Sequence, residues 1–238
     1  SSSVGGTLVR ISMTNPSLAR TDPPSGLTTA TEPTRARHVT LALMLALAVI
    51  TYIDRVSLST AAPIIRSELN LSPIQLGWAL STFAWAYALF EVPGGWLGDR
   101  IGPRAVITRI VIWWSAFTMA TGLATGFWSL SIVRFLFGAG EAGCFPNLTK
   151  AFSNWFRGED RTRAQSLMWL AARWGGALAP LLVVAALEIM TWRQSFYLFG
   201  AIGFVWAFFF FRWFRDLPAN HPAVNAAELA LLPKPDEV

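Results

Sequence analysis

The sequence predicts an all-α membrane protein, a bundle of six transmembrane helices. Hydrophobic residues make up 53% of the 238-residue chain and charged residues only 14%, against ~25% charged in soluble chains. Six apolar runs recur, each near the ~20 residues that a helix needs to cross a bilayer. Lys and Arg gather in alternate connections between these runs, as they do in membrane proteins, whose cytoplasmic loops are the basic ones.

The elements follow in order. Residues 1–37 are rich in Ser, Thr, Pro and Gly without apolar periodicity, so they are expected as a disordered cytoplasmic tail. The bundle is expected over 38–213. Its first span is the run 39–62, which Pro63 should end, with a short loop over 64–71. Ser72-Pro73 has the form of a helix start, and the second span runs from 74 to about 97. A tight turn over 98–104 leads to the third span, about 105–124, and Thr125-Gly126 turns the chain into the fourth, 127–149. A polar loop over 150–163 carries Arg157, Arg161 and Arg163; the fifth span is about 164–187 and the sixth about 195–211.

Arginine-rich connections alternate with loops that hold only Arg66 and Arg193, so both termini are expected in the cytoplasm. Trp192, Trp206 and Trp213 stand near span ends, where tryptophans anchor at the interface. Trp113 and Trp114 are expected to pack inside.

Several functions are excluded. The formal net charge of +5 lies at span ends rather than on one basic face, which argues against nucleic acid. Cys144 is the single cysteine, and His38 and His221 lie outside the apolar runs, so neither a disulfide nor a metal site is expected; Cys144 reads as a small packing residue. No nucleophile–base constellation or phosphate loop is present, so an enzyme is not expected.

The chemistry lies in charges inside the apolar runs. Tyr52-Ile53-Asp54-Arg55 sits within the first span. A charge there costs at least ~2.5–3.5 kcal/mol, so such residues face a bundle interior, pair and commonly act on a substrate or ion. The pair reads as part of a transport site, with a structural ion pair as the alternative. Arg134 and Glu141 in the fourth span are seven residues apart, about two turns and ~10.5 Å of rise, so they share a face. Gly138, Ala139, Gly140, Ala142 and Gly143 border that stripe and let a neighbouring helix approach. Arg173 in the fifth span has the planar fork that suits a carboxylate or phosphate, and could equally pair with Asp54, Glu91 or Glu141. Tyr52 and Tyr87 offer hydroxyls on apolar helices, and Glu91 could serve as a gate partner or in a structural role.

The connection Gly95-Trp96-Leu97-Gly98-Asp99-Arg100-Ile101-Gly102-Pro103-Arg104 resembles the loop signature of the major facilitator superfamily. Its glycines permit a tight turn, Asp99 can cap the next helix and accept from a basic neighbour, and Arg100 and Arg104 hold the loop inside. Tyr52-Ile53-Asp54-Arg55-Val56 and the stretch from Arg134 to Ala142 are similar to the anion:cation symporter branch, which carries hexuronates, galactonate, glucarate, sialic acid and some phosphate or dicarboxylate ions. Arg215-Asp216-Leu217-Pro218, with His221-Pro222 and Asn225 to Glu228, looks like the start of that branch's central cytoplasmic loop, placing 214–238 there.

Such carriers have twelve spans in two halves, so the resemblance implies an amino-terminal half, a 3+3 inverted repeat in which the first span corresponds to the fourth. It implies proton-coupled symport of a small organic anion, with no cofactor beyond the proton. Asp54 and Glu141 would then be the protonation sites, Arg55 would bind the anion, Arg134 would be the charge partner of a carboxylate, and Tyr87 would contact substrate hydroxyls. The implied partners are the anion, the bilayer and the missing carboxyl-terminal half. The implied location is the bacterial inner membrane. A pH-independent exchanger or uniporter, or a truncated non-transporting partner, stays open.

Overall fold

The computed structural model describes residues 32–233; the expected tail up to residue 31 lies outside them. Among the described residues the chain is helical, without strands: α1 Ala36–Glu68, α2 Pro73–Ile101, α3 Pro103–Thr121, α4 Phe127–Glu141, α5 Cys144–Trp155, α6 Gly158–Ile189, α7 Trp192–Trp213 and the short α8 Ala226–Leu229. Helices α1, α6 and α7 are long and apolar enough to cross a membrane by length and composition. Together with α2, α3 and the α4–α5 pair they form the six-element bundle.

Several connections are more helical than the sequence predicts. Pro63 does not end the first span: α1 runs through it to Glu68. Proline removes one ladder donor, and packed neighbours tolerate that loss inside membrane helices. The turn before α3 narrows to Gly102, at φ 87° between α2 and α3, a conformation that glycine adopts without a Cβ penalty. The polar loop over 150–163 is almost wholly helical, since α5 reaches Trp155 and α6 begins at Gly158. Conversely, the fourth span is broken at Ala142-Gly143. Pro146, one turn on, has no N–H to give back to Ala142, so the ladder cannot run through.

Helix α1 packs most extensively on α6, α2 on α4, and α3 on α7. Numbered as spans, these pairs are one with five, two with four, and three with six. Exchanging the first three spans for the last three leaves that set unchanged, which is the symmetry of a 3+3 repeat. A close crossing joins α2 to the α4–α5 break, where Gly94 faces Gly143 so closely that a Cβ on Gly94 would lie 2.7 Å from the Gly143 Cα.

Two apolar clusters bracket the centre. One takes Met44, Leu47 and Ala48 from α1 with Trp114, Phe137, Phe152 and Trp155; the other takes Leu58, Ala61 and Ile65 with Leu130, Trp192 and Phe196. Asp54 and Arg55 fall between the two sets along α1.

Both ends of the bundle are tied by polar contacts. At one end Arg193 pairs with Glu68 at 3.0 Å and donates to the carbonyls of Gly122 and Ala124 at 2.6 and 2.9 Å. At the other, the segment after α7 folds back. Asp216 accepts from the Arg104 amide at 2.7 Å, Trp155 donates to the Arg215 carbonyl at 2.8 Å, and His221 is buried between the rings of Trp155 and Trp213. Fully buried Glu228 accepts from Thr34 Oγ1 and from the amides of Ala36 and Arg37 at 3.3 and 3.0 Å, capping α1 from the far end of the chain. Burial raises the Asp216 carboxyl above the usual carboxylate range and lowers the His221 imidazole below its usual value.

Tryptophan placement differs from expectation. Trp192 and Trp206 are buried rather than interfacial, their indoles donating to Glu68 and to the Leu43 carbonyl. Trp114 is buried as predicted, but Trp113 is 44% exposed, because adjacent helical positions point 100° apart.

Candidate functional site

Asp54 and Arg55 project from the middle of α1, and Arg134 and Glu141 from one face of α4; the bundle brings all four together. Arg55 donates from Nε to Glu141 Oε1 at 3.1 Å and from Nη2 to the same oxygen. The Glu141 side chain is essentially inaccessible, whereas that of Arg55 is about a quarter exposed. The pair is therefore capped by the arginine. Arg55, not Glu141, is the accessible member of the pair.

Aromatic rings enclose this guanidinium. Its central carbon lies 5.3, 5.1 and 5.0 Å from the ring centres of Tyr52, Phe83 and Tyr87, within the range of cation–π attraction. Behind it, Arg134 lies 5.2 Å from Phe83 and 4.6 Å from Phe137. Asp54 and Arg134 are 2% and 3% exposed. The electrostatic neighbours of Asp54 are Glu141, Arg134 and the Trp114 indole. Neither Asp54 oxygen, nor Arg134 Nε, nor Glu141 Oε2 has a hydrogen-bond partner among the described residues. Buried charges usually use all their hydrogen-bonding capacity. This quartet keeps spare capacity, which lets its charges re-pair.

The aromatic wall continues from Tyr52, edge-on to Phe145 at 6.2 Å, to Trp169, stacked on Phe145 at 5.0 Å. Trp169, Arg173 and Gly176 share a strip of α6 by their spacing, and Gly176 faces the Tyr52 ring. Arg173 is exposed there. It pairs with none of Asp54, Glu91 or Glu141 among the described residues. Glu91 is half-buried one turn beyond Tyr87 and interacts with it electrostatically.

The loop-signature residues stand apart from this cluster. Asp99 pairs with Lys150 of α5 at 2.9 Å, and Arg100 lies over Trp96 at 4.3 Å. Arg104 donates to the Phe211 carbonyl at 2.7 Å from Nη2. The expected capping of the next helix by Asp99 is corrected: Asp216 takes the Arg104 amide instead, because α2 stays helical through Ile101 and carries Asp99 along its side. Gly95 packs on Pro146.

Two features lie beyond the sequence expectations. The direct Arg55–Glu141 pairing has no local signal, since the partners are 86 residues apart. Arg109, inside α3, carries the same signal as the other intramembrane charges but is not part of the quartet; it lines an apolar cleft between α2, α3 and α4.

Comparison with known proteins agrees with this architecture. The chain is 38% identical over 195 residues to the "Probable sulfoacetate transporter SauU" of Cupriavidus necator, covering 82% of this chain and 45% of that one. It is 32% identical over 200 residues to the "D-galactonate transporter" of Escherichia coli, covering 84% and 46%. The chain thus spans a little under half the length of these relatives. Among solved structures it resembles an inward-facing, unoccupied bacterial homologue of the human lysosomal transporter Spinster, with TM-score 0.68 and 25% identity, over 80% of this chain and 44% of that one. Residues 44–236 match the sequence pattern of the Major Facilitator Superfamily. The chain belongs to that superfamily of membrane transporters, and is not an enzyme.

Proposed function

We propose that this chain is the amino-terminal half of a proton-coupled symporter of small organic anions, residing in a bacterial inner membrane with both chain ends in the cytoplasm. The observation that carries the reading is Arg55: a guanidinium at the open edge of an aromatic enclosure, held from behind by the buried Glu141. The relatives named for sulfoacetate and D-galactonate support a sulfonate or sugar acid as the anion, with hexuronate and glucarate in the same class.

The chemistry follows from competition for Arg55. A carboxylate or sulfonate can take the fork that Glu141 holds. Glu141 is then a buried, uncompensated charge, which is costly unless a proton neutralises it. Anion and proton enter together. When the proton leaves, Glu141 recovers Arg55 and expels the anion. Asp54 repeats the exchange against Arg134 deeper in the bundle, so proton release and substrate release need not occur from one group. Tyr52 and Tyr87 line the anion's approach and offer hydroxyls to a polyol chain. Arg173 supplies a further cation on the same wall. The exposed apolar faces of α2 (Trp78, Trp85, Val92) and α6 (Trp174, Leu178, Leu181) would meet the carboxyl-terminal half.

The test is uptake into vesicles holding the full-length gene product, with a panel of sugar acids and short sulfonates under imposed pH gradients. Accumulation of one anion together with protons is expected. Uptake indifferent to the pH gradient would reassign the protein as an exchanger or uniporter, and silence across the panel would overturn the anion reading.

A further inference from the structure

The cleft that holds Arg109 lies on a different side of α4 from the charge quartet. It is about 410 Å³ in volume and is lined by Phe90 of α2, Arg109 and Trp113 of α3, and Phe135, Ala139 and Gly140 of α4. That size falls in the ~300–1,000 Å³ range of ligand clefts. Its walls are aromatic, aliphatic or small, so the space is narrow, apolar and open along one side. The Trp113 indole N–H is already given to the Leu136 carbonyl at 2.8 Å, which leaves Arg109 as the polar head of the cleft.

Arg109 is exposed and makes no hydrogen bond or ion pair with the described residues. The nearest intramembrane carboxylate on α2, Glu91, is one residue from Phe90 and therefore 100° round that helix, on the Tyr87 side. A charge inside a span that nothing in the protein compensates must find its counter-ion outside. Arg109 is six residues beyond the start of α3, ~9 Å along the axis, at the end of the bundle that carries Arg100 and Arg104. A long arginine side chain at that depth can reach the headgroup level.

We infer that this cleft is a binding site for an acidic phospholipid of the leaflet on the arginine-rich side, its phosphate on Arg109 and one acyl chain between Phe90, Trp113 and Phe135. Basic recesses between membrane helices take acidic headgroups in this way. The apolar walls and the single cation match the two parts of such a lipid. They do not match a soluble anion, which would leave the walls bare. The lipid would wedge α2, α3 and α4 together beside the Gly94–Gly143 crossing.

The test is native mass spectrometry of the purified 238-residue chain and of the full-length product, each with phosphatidylglycerol and phosphatidylcholine. At least ten-fold preferential retention of phosphatidylglycerol is expected in both. Arg109→Gln, at an exposed position that leaves the fold intact, should abolish the preference, and Ala139→Leu, which fills the cleft, should abolish retention. Phosphatidylglycerol with brominated acyl chains should quench tryptophan fluorescence, and Trp113→Phe should remove that part of the quenching. Equal retention of the two lipids, a preference that survives Arg109→Gln, or a preference lost in the full-length product because its other half covers the cleft, would each overturn the proposal.

Discussion

Arg55 donates two hydrogen bonds to a single oxygen of Glu141, leaving the other carboxylate oxygen without a partner. An arginine could span both oxygens. Here it leans on one, with its outer face turned to the aromatic enclosure. The pair is held, yet open to exchange.

Glu141→Gln should therefore separate binding from coupling. Uptake driven by a pH gradient is expected to fall by roughly ten-fold or more, the scale of one lost charge-assisted bond. Substrate protection of the purified protein should persist, since Arg55 remains. Arg55→Lys keeps the charge but loses the fork, and is expected to weaken protection itself. Uptake in Glu141→Gln that still follows the pH gradient would remove Glu141 from the coupling.

Asp54 and Arg134 are both buried, and Arg134 is the cation that offsets Asp54, so removing it leaves the carboxylate uncompensated. Arg134→Gln is expected to cost about 3–5 kcal/mol, seen as poor yield and a lowered melting temperature. Adding Asp54→Asn should recover stability without recovering proton-driven uptake. A thermal double-mutant cycle measures the coupling between them; simple additivity would mean that the two do not interact.

The Gly94–Gly143 crossing should tolerate no side chain. Gly143→Ala would place a Cβ 2.8 Å from the Gly94 Cα, backbone that cannot swing aside. A loss of about 1–3 kcal/mol is expected, as for other overpacking changes. Gly77→Ala, with nothing within 4 Å of its Cβ, is the control and should melt at or slightly above the parent, since alanine is the better helix former.

The clasp after α7 should be pH-dependent through His221. Burial between Trp155 and Trp213 lowers its imidazole below the ordinary value of 6.5. In the window just below 6.5 the released segment binds the proton more readily than the docked one. Docking strength is thus complete above that value and lost progressively as pH falls. Arg215 opposes the protonated form and Glu228 favours it. Hydrogen-exchange protection over 218–233, corrected for the intrinsic rate at each pH, should fall between about pH 6.5 and pH 5 in the parent, and His221→Gln should flatten that fall. Identical profiles would exclude His221 as the source.

Arg173 should matter more for an anion with two negative groups than for one with a single group. Arg173→Gln is expected to raise the apparent KM of a dianion by about ten-fold relative to a monoanion. Equal effects on both would take Arg173 off the substrate's path.

Much of this was legible in the residues. The six apolar elements and the Asp54, Arg55, Arg134 and Glu141 set can be picked out because charges inside apolar runs are rare and costly. Helix ends are less legible. Pro63 and the stretch 150–163 suggest loops by local chemistry, yet packing keeps both helical. The tryptophans near span ends look interfacial by position, but Trp192 and Trp206 turn inward to Glu68 and Leu43.

The sequence by itself determined that the protein is a helical membrane bundle, where its charges lie along each helix, and which superfamily it belongs to. The first two follow from transfer energies and spacing and the third from the likeness of short motifs, all of them properties of single segments. Tertiary structure alone decided that Arg55 meets Glu141, that Glu228 caps α1 from 192 residues away, and that Arg109 heads an apolar cleft. Such relationships depend on how far one helix is rotated and shifted against another. That offset is set by close crossings such as Gly94 on Gly143, and no single segment encodes it.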